Sequence, residues 1–232
     1  MENLNILITG ASGAIGSALA KTFERYNLIL QYNNNKPSFL SENAICVQAD
    51  LREETQVNNL FDKAEEKFGA VDVVINNCGI SEFSLLQDLS LEQWKNMFAV
   101  NVTSAFLTSK RAIPNMLKNQ KGYIINISSI WGEIGASCEV HYSASKGALI
   151  TFTKALAKEL APSGILVNCV SPGLIESSMN AHLSEDDIKE FESEIPLGRS
   201  GKGEEVASLV KYLIESGTYI TGQNLSVNGG LS

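Results

Sequence analysis

The stretch "LITGASGAIGSALA", residues 7–20, decides the fold. The aliphatic and β-branched run "NILIT" (5–9) reads as a strand, and "AIGSALAKTFERY" from residue 14 carries apolar residues at helical spacing. Gly10, Gly13 and Gly16 fall at the junction. Missing side chains there let the backbone approach a pyrophosphate, and the helix N-terminus turns N–H donors toward it. With Ser12 and Ile15 these glycines form a candidate dinucleotide loop. A plain strand-to-helix turn using glycine for backbone freedom is the alternative. The strand before and the helix after favour the nucleotide.

The same alternation recurs along the chain. "LILQY" (28–32), "AICVQ" (44–48), "VDVVIN" (71–76), "YIINIS" (123–128), "ILVNCV" (165–170) and "NLSVN" (224–228) read as further strands. Segments such as "ETQVNNLFDKAEEKF", "SAFLTSKRAIPNMLK" and "YSASKGALITFTKALAKEL" have the spacing of crossover helices. The pattern predicts an α/β fold, a Rossmann-type doubly wound seven-stranded parallel sheet flanked by helices, in a single domain over residues 1–232. Between the second and third strands, "NNNKPSFLSEN" holds Pro37 and leaves barely a turn of helix, so a trimmed crossover is expected.

Composition narrows the function classes. With 18 basic against 26 acidic residues, a formal charge of −8 and no Lys/Arg run, the chain offers no patch for nucleic acid or an anionic membrane. It has no apolar run of membrane-spanning length and no signal-like N-terminus. Its four scattered cysteines, at 46, 78, 138 and 169, form no C-x-x-C pair and fit a reducing cytoplasm.

"GASCEVHYSASK" (135–146) offers three chemistries. Cys138 with His141 suggests a thiol nucleophile, but no orienting third group accompanies them. Adding Glu139 suggests a metal, which two histidines and dispersed cysteines do not support. Tyr142 and Lys146 lie four apart in a helical segment, so they emerge one turn apart on one face. A free phenol titrates near pH 10; a neighbouring ammonium stabilises the phenolate and is expected to bring Tyr142 toward the working range.

"TGASGAIG", "NNCG" (76–79), "NV" (101–102), "NISS" (126–129), "YSASK" (142–146) and "SPG" (171–173) occur in the order and spacing of classical short-chain dehydrogenases/reductases, which the chain resembles almost from end to end. The resemblance implies catalytic roles for Asn101, Ser129, Tyr142 and Lys146: the tyrosine protonates a carbonyl oxygen, the serine hydrogen-bonds it, the lysine also holds the nicotinamide ribose, and the asparagine holds a water in a relay to the lysine. The family's thirteen-residue spacing selects Ser129 over Ser128. The resemblance also implies Asp50 and Leu51 at the adenine, Asn77 and Gly79 at the adenosine ribose side, and Ile175 and Ser177 near the carboxamide. A helix cap before "LREET" is a compatible role for Asp50. Ala14 departs from the family's usual glycine; alanine there would be strained at positive φ, with Gly13 as a substitute source of freedom.

Cofactor choice turns on "QYNNNK" (31–36). Asn33, Asn34 and Lys36 are donors, with no carboxylate to select a free 2'-hydroxyl, so NADP(H) is expected, although the arginine frequent in NADP-dependent relatives is missing. The chain most resembles the 3-oxoacyl-acyl-carrier-protein reductase branch, in "PGLIESSM", "IPLGRSG" and "YITGQNLSVNGG". Tyr123 and Ser163 stand where members serving the acidic carrier generally carry arginines, which weakens that substrate. "SSIWGEIGASCEVHYSASK" also resembles reductases of a 5-aminopentanone group on elongation factor P, a cationic ketone that Glu133 or Glu139 would suit. Cys138 is a candidate lining residue of the substrate pocket. An NADP-binding regulatory protein without turnover is the non-enzyme alternative.

The resemblance further implies a homotetramer pairing helices at 101–118 and 142–161, burying Phe106, Leu107, Leu149 and Phe152. The acidic segment within about 175–201, with few apolar anchors, reads as a substrate lid that repels anions unless Lys189 or Arg199 offsets its charge.

Overall fold

In the computed structural model, residues 4–38, 41–177 and 184–231 are described. The β-branched runs form strands β1 Asn5–Ile8, β2 Asn27–Tyr32, β3 Ala44–Gln48, β4 Val73–Asn76, β5 Gly122–Ile127, β6 Ile165–Pro172 and β7 Asn224–Val227. They build one sheet in the order β3-β2-β1-β4-β5-β6-β7, and every pairing is parallel. Parallel strands are buried on both faces, which explains the near-continuous apolar runs. Side chains alternate accordingly: Ile6 and Ile8 of β1 and Val73 and Ile75 of β4 enter one core, whereas Leu7 and Val74 enter the other.

Helices cover both faces: α1 Ala14–Thr22, α2 Glu54–Phe68, α3 Leu91–Phe98, α4 Ser104–Asn119, the short α5 Trp131–Ile134, α6 Val140–Leu160, α7 Glu185–Glu194 and α8 Gly203–Glu215. In α2, Val57, Leu60, Phe61 and Ala64 repeat at i, i+3, i+4 and i+7 and bury one stripe; each large side chain so buried contributes about 1.5–3 kcal/mol. Helix α1 packs with α8 on the face that buries Leu19, Phe23, Val206 and Val210. The β2–β3 connection holds no helix among its described residues, as its length and Pro37 predict.

Sheet order reverses between β1 and β4, and a crevice opens at their C-terminal ends. The turns after both strands are laced together. Thr9 Oγ1 accepts from the backbone N–H groups of Asn77 and Cys78, each at 2.9 Å, and Asn77 Nδ2 donates to the carbonyls of Thr9 and Gly10 at 2.9 and 3.1 Å.

The expected interface positions divide. Leu107 and Leu149 are buried within a single chain, in the role of core residues, and Phe152 packs against the core from a half-buried position. Phe106 alone of the four stands exposed, at 46%.

Candidate active site

The crevice is a cavity of about 910 Å³ that runs from the glycine loop to Tyr142 and onward under α7. Its floor at the nucleotide end is backbone. Gly10 has φ +61°, a conformation that favours glycine, and a Cβ there would come 3.0 Å from Cys78 Cα. A Cβ on Gly16 would sit 2.3 Å from the Gly10 carbonyl, so that glycine closes the loop onto the helix and does not itself line the cavity. The strain considered at Ala14 does not arise: Ala14 is the first residue of α1 without positive φ, and Gly13 has φ −74°. Gly10, not Gly13, takes the left-handed turn.

No side chain caps α1, and no acidic residue occupies its first turn. Its leading N–H groups therefore present an unopposed positive dipole end, which suits a pyrophosphate. Ser12, Gly13 and Ile15 line this end; Asn33, Asp50, Leu51, Asn77 and Gly79 line the stretch beside it. Ile175 and Ser177 line the far wall. A bound dinucleotide fits this donor set and this shape. Lys36, expected among the donors, does not line the cavity, whereas Asn34, Asn35 and Arg52 do. Gln31, also overlooked in the sequence, ties the wall together: its Oε1 accepts from Gly10 N at 2.9 Å and its Nε2 donates to Ala49 O at 2.7 Å.

Beyond Gly79 the four expected catalytic side chains converge. Ser129 follows β5 and lines the cavity with Tyr142, its Oγ accepting from Trp131 N at 3.2 Å. Its neighbour Ser128 turns the other way and donates to Lys146 O at 2.8 Å, as strand alternation requires. Lys146 Nζ lies 5.7 Å from the Tyr142 ring centroid and donates to Ile127 O at 2.9 Å. Asn101 sits behind this pair in a π-helical turn, Ala99–Thr103, a distortion common at functional sites and invisible in the sequence. Its Oδ1 accepts from Ile80 N at 2.8 Å; its Nδ2 donates to Ile80 O and Ser145 Oγ, each at 3.0 Å. That amide is fully committed to protein partners and lies outside the cavity lining.

The tyrosine does not titrate as expected. Burial pushes Tyr142 up to about 12, the neighbouring Ser129 hydroxyl opposes this, and the Glu139 charge adds to it. Burial also lowers Lys146 to about 8. Desolvation dominates, so in the ligand-free protein Tyr142 carries its proton at neutral pH.

The substrate end is formed by Ser81, Phe83, Trp131, Glu139, Phe191 and Glu194. Ser81 Oγ donates to Glu139 Oε1 at 2.5 Å. Glu133, proposed beside Glu139, is occupied elsewhere: Asn224 Nδ2 and Ser226 Oγ donate to it at 2.8 Å each. Cys138 does not line the cavity. His141 is fully buried with neither ring nitrogen hydrogen-bonded, so it forms no pair with that thiol. Among the described residues no group of three or more His, Cys, Asp or Glu could hold a metal ion, and no helix is long and apolar enough to cross a membrane.

Of the segment expected as a lid, residues 178–183 lie outside the described residues. The rest is better anchored than its composition suggests. Ser184 and Asp187 form a capping box at the start of α7. Phe191 packs edge-on against Trp131, with centroids 5.6 Å apart, and Ile195 is buried. Glu192 accepts from Ser200 N and Oγ at 2.8 and 2.7 Å. Lys189 pairs with Asp186 and Arg199 with Glu205, and neither cation faces the cavity.

A family model described as enoyl-(acyl carrier protein) reductase matches residues 10–232. The chain belongs to the short-chain dehydrogenase/reductase family. As a member it is a nicotinamide-dependent oxidoreductase acting on the CH–OH/C=O pair. This short-chain reductase is 40% identical to the uncharacterized oxidoreductase YmfI of Bacillus subtilis strain 168 over 241 residues, 98% of each chain. It is 38% identical to the 3-oxoacyl-[acyl-carrier-protein] reductase FabG of Aquifex aeolicus strain VF5, over 97% of this chain and 96% of that one. The solved structure "ElxO with NADP Bound" superposes with a TM-score of 0.90 at 30% identity, covering 99% of both chains.

Proposed function

We propose that the protein reduces a ketone with NADPH. The observation that carries this reading is the meeting of Ser129, Tyr142 and Lys146 at the inner end of the cavity, with the Lys146 ammonium 5.7 Å from the tyrosine ring. NADPH, when bound, supplies the hydride to the carbonyl carbon. Tyr142 holds the proton that the carbonyl oxygen takes up as negative charge develops there. Ser129 Oγ orients that oxygen, and the Lys146 ammonium stabilises the phenolate left behind until it is reprotonated. Asn101 fixes Ile80 and Ser145, and through them the turn after β4 and the first turns of α6. A carboxylate-free rim of Asn33, Asn34 and Asn35 supports the 2'-phosphorylated cofactor.

Two ketones are in contention. Relatives bearing the FabG name favour a 3-oxoacyl group on acyl carrier protein. Glu139 and Glu194, set among Phe83, Trp131 and Phe191 at the substrate end, favour a cationic amino-ketone such as the 5-aminopentanone group of modified elongation factor P. The test is NADPH oxidation followed in parallel with an acetoacetyl thioester, simple amino-ketones and modified elongation factor P. Faster turnover of the amino-ketones selects the cationic substrate, faster turnover of the thioester selects the carrier, and no NADPH oxidation with any of them sinks the reductase reading.

The same reading takes the protein as a cytoplasmic, single-domain homotetramer with the 175–201 segment as its substrate lid. Exposed Phe106 on α4 supports a pairing of long helices across subunits, and sedimentation equilibrium reads the state directly.

A further inference from the structure

The β2 end lacks an arginine, yet a guanidinium reaches the cavity from the neighbouring strand's end. Among the described residues two cations line the cavity, Lys146 at the inner end and Arg52 beside the asparagines. Strands β2 and β3 are paired up to Tyr32 and Gln48; Ala49 N then donates to Tyr32 O at 3.0 Å and Gln48 Nε2 to Asn33 O at 2.8 Å. The turn after β3 is thereby locked against the Asn33–Asn35 rim, and Arg52 stands three residues beyond Ala49.

Arg52 is held on two sides. Nε donates to both oxygens of Asp50 at 3.0 and 3.1 Å, Nη2 donates to Oδ2 at 2.6 Å, and Nη1 donates to Asn96 Oδ1 at 2.9 Å. A guanidinium has five N–H donors, so both terminal nitrogens keep a hydrogen for a ligand. Asp50 is the carboxylate lining the nucleotide end; Glu139 and Glu194 lie at the substrate end. Unpaired, Asp50 would repel a 2'-phosphate. Engaged by Arg52, it becomes the anchor that aims a cation.

We propose that Arg52 is the specificity-determining residue for a 2'-phosphorylated cofactor, standing in for an arginine at the β2 end. Asp50 and Asn96 pre-orient its planar fork, and the fork matches a phosphate in charge and geometry. The proposal rests on the NADPH reading of the cavity.

Isothermal titration of the full chain with adenosine 2',5'-bisphosphate and with 5'-AMP isolates the phosphate, because neither ligand carries nicotinamide or is turned over. The wild type is expected to favour the bisphosphate at least ~tenfold, on the scale of charge-assisted hydrogen bonds. Arg52→Ala should cut that preference by about tenfold with 5'-AMP binding little changed, and Arg52→Lys should keep part of it, since it retains charge without the fork. A variant that weakens both ligands equally, leaving the ratio intact, assigns Arg52 to the adenine or to packing and overturns the proposal. A wild type without preference removes the NADPH reading itself, and the proposal with it. A wild-type preference that survives Arg52→Ala removes the proposal alone.

Discussion

The two ends of the cavity are built from different material. At the nucleotide end the wall is backbone and strand termini: the positive-φ turn at Gly10, the close approach at Gly16, and the lacing of Thr9 to Asn77 and Cys78. Each contact joins segments already fixed by the sheet. At the substrate end the wall is side chains on loops and on α7, with Phe191 against Trp131 and Glu139 against Ser81. The first end recognises what every dinucleotide shares, and the second is free to differ between enzymes of one fold. Tyr142 and Lys146 stand at the border.

The largest expected effect lies at that border. Tyr142→Phe removes the proton donor while leaving the ring's packing, so turnover should fall by about two to four orders of magnitude. Cofactor binding measured by fluorescence titration should be retained, because the nucleotide wall is untouched. Turnover near the wild-type level would erase the distinction between the border and its surroundings.

Next in size is a pH effect on stability. The folded-state value of Lys146 is lowered from 10.5 to about 8 by burial. Below pH 8 the lysine is protonated in both states and its burial costs stability. Between 8 and 10.5 the unfolded chain binds the extra proton, so the Lys146 contribution to the stability of the ligand-free protein should rise by about 2 kcal/mol from pH 8 to 10, against an opposite contribution from Cys169, whose thiol burial raises from 9.0 to about 12. Tyr142 acts oppositely and higher: raised to about 12, its phenol begins to withdraw stability only above pH 10, the ordinary value. Urea unfolding of the wild type and of Lys146→Met at pH 8, 9 and 10 isolates the lysine's part as the difference between their slopes. An equal slope in the variant would assign the effect to other groups.

The smallest effect belongs to the substrate wall. Phe191→Ala removes the edge contact with Trp131 and should raise KM for the ketone by about three- to tenfold, with KM for the cofactor changed little, on the scale of a lost aromatic contact. A matching rise in cofactor KM would show that the two ends are coupled through α7.

Legibility followed the same division. All seven strands, the trimmed β2–β3 connection and the convergence of Asn101, Ser129, Tyr142 and Lys146 could be anticipated, because local periodicity and motif spacing carry them. The rim of the cavity was half legible: Asn33 and Asn34, expected there, line it, whereas Lys36 does not and Arg52 does. Which residue beyond a strand end turns into a crevice depends on the neighbouring strand. The anchors of the acidic 184–195 segment were underestimated, since Phe191 and Ile195 look isolated in an acidic stretch and gain partners only across long sequence separations.

By itself the sequence determined the doubly wound sheet, the glycine loop and the Tyr–Lys pair, since these depend on residues within a few positions of one another, where chain geometry fixes what faces what. Only the tertiary structure decided that Gly10 rather than Gly13 makes the left-handed turn, that Glu139 and not Glu133 faces the cavity, and that burial raises Tyr142 above its ordinary value. Those outcomes depend on desolvation and on partners from distant strands, and neither quantity exists until the chain has closed around the site.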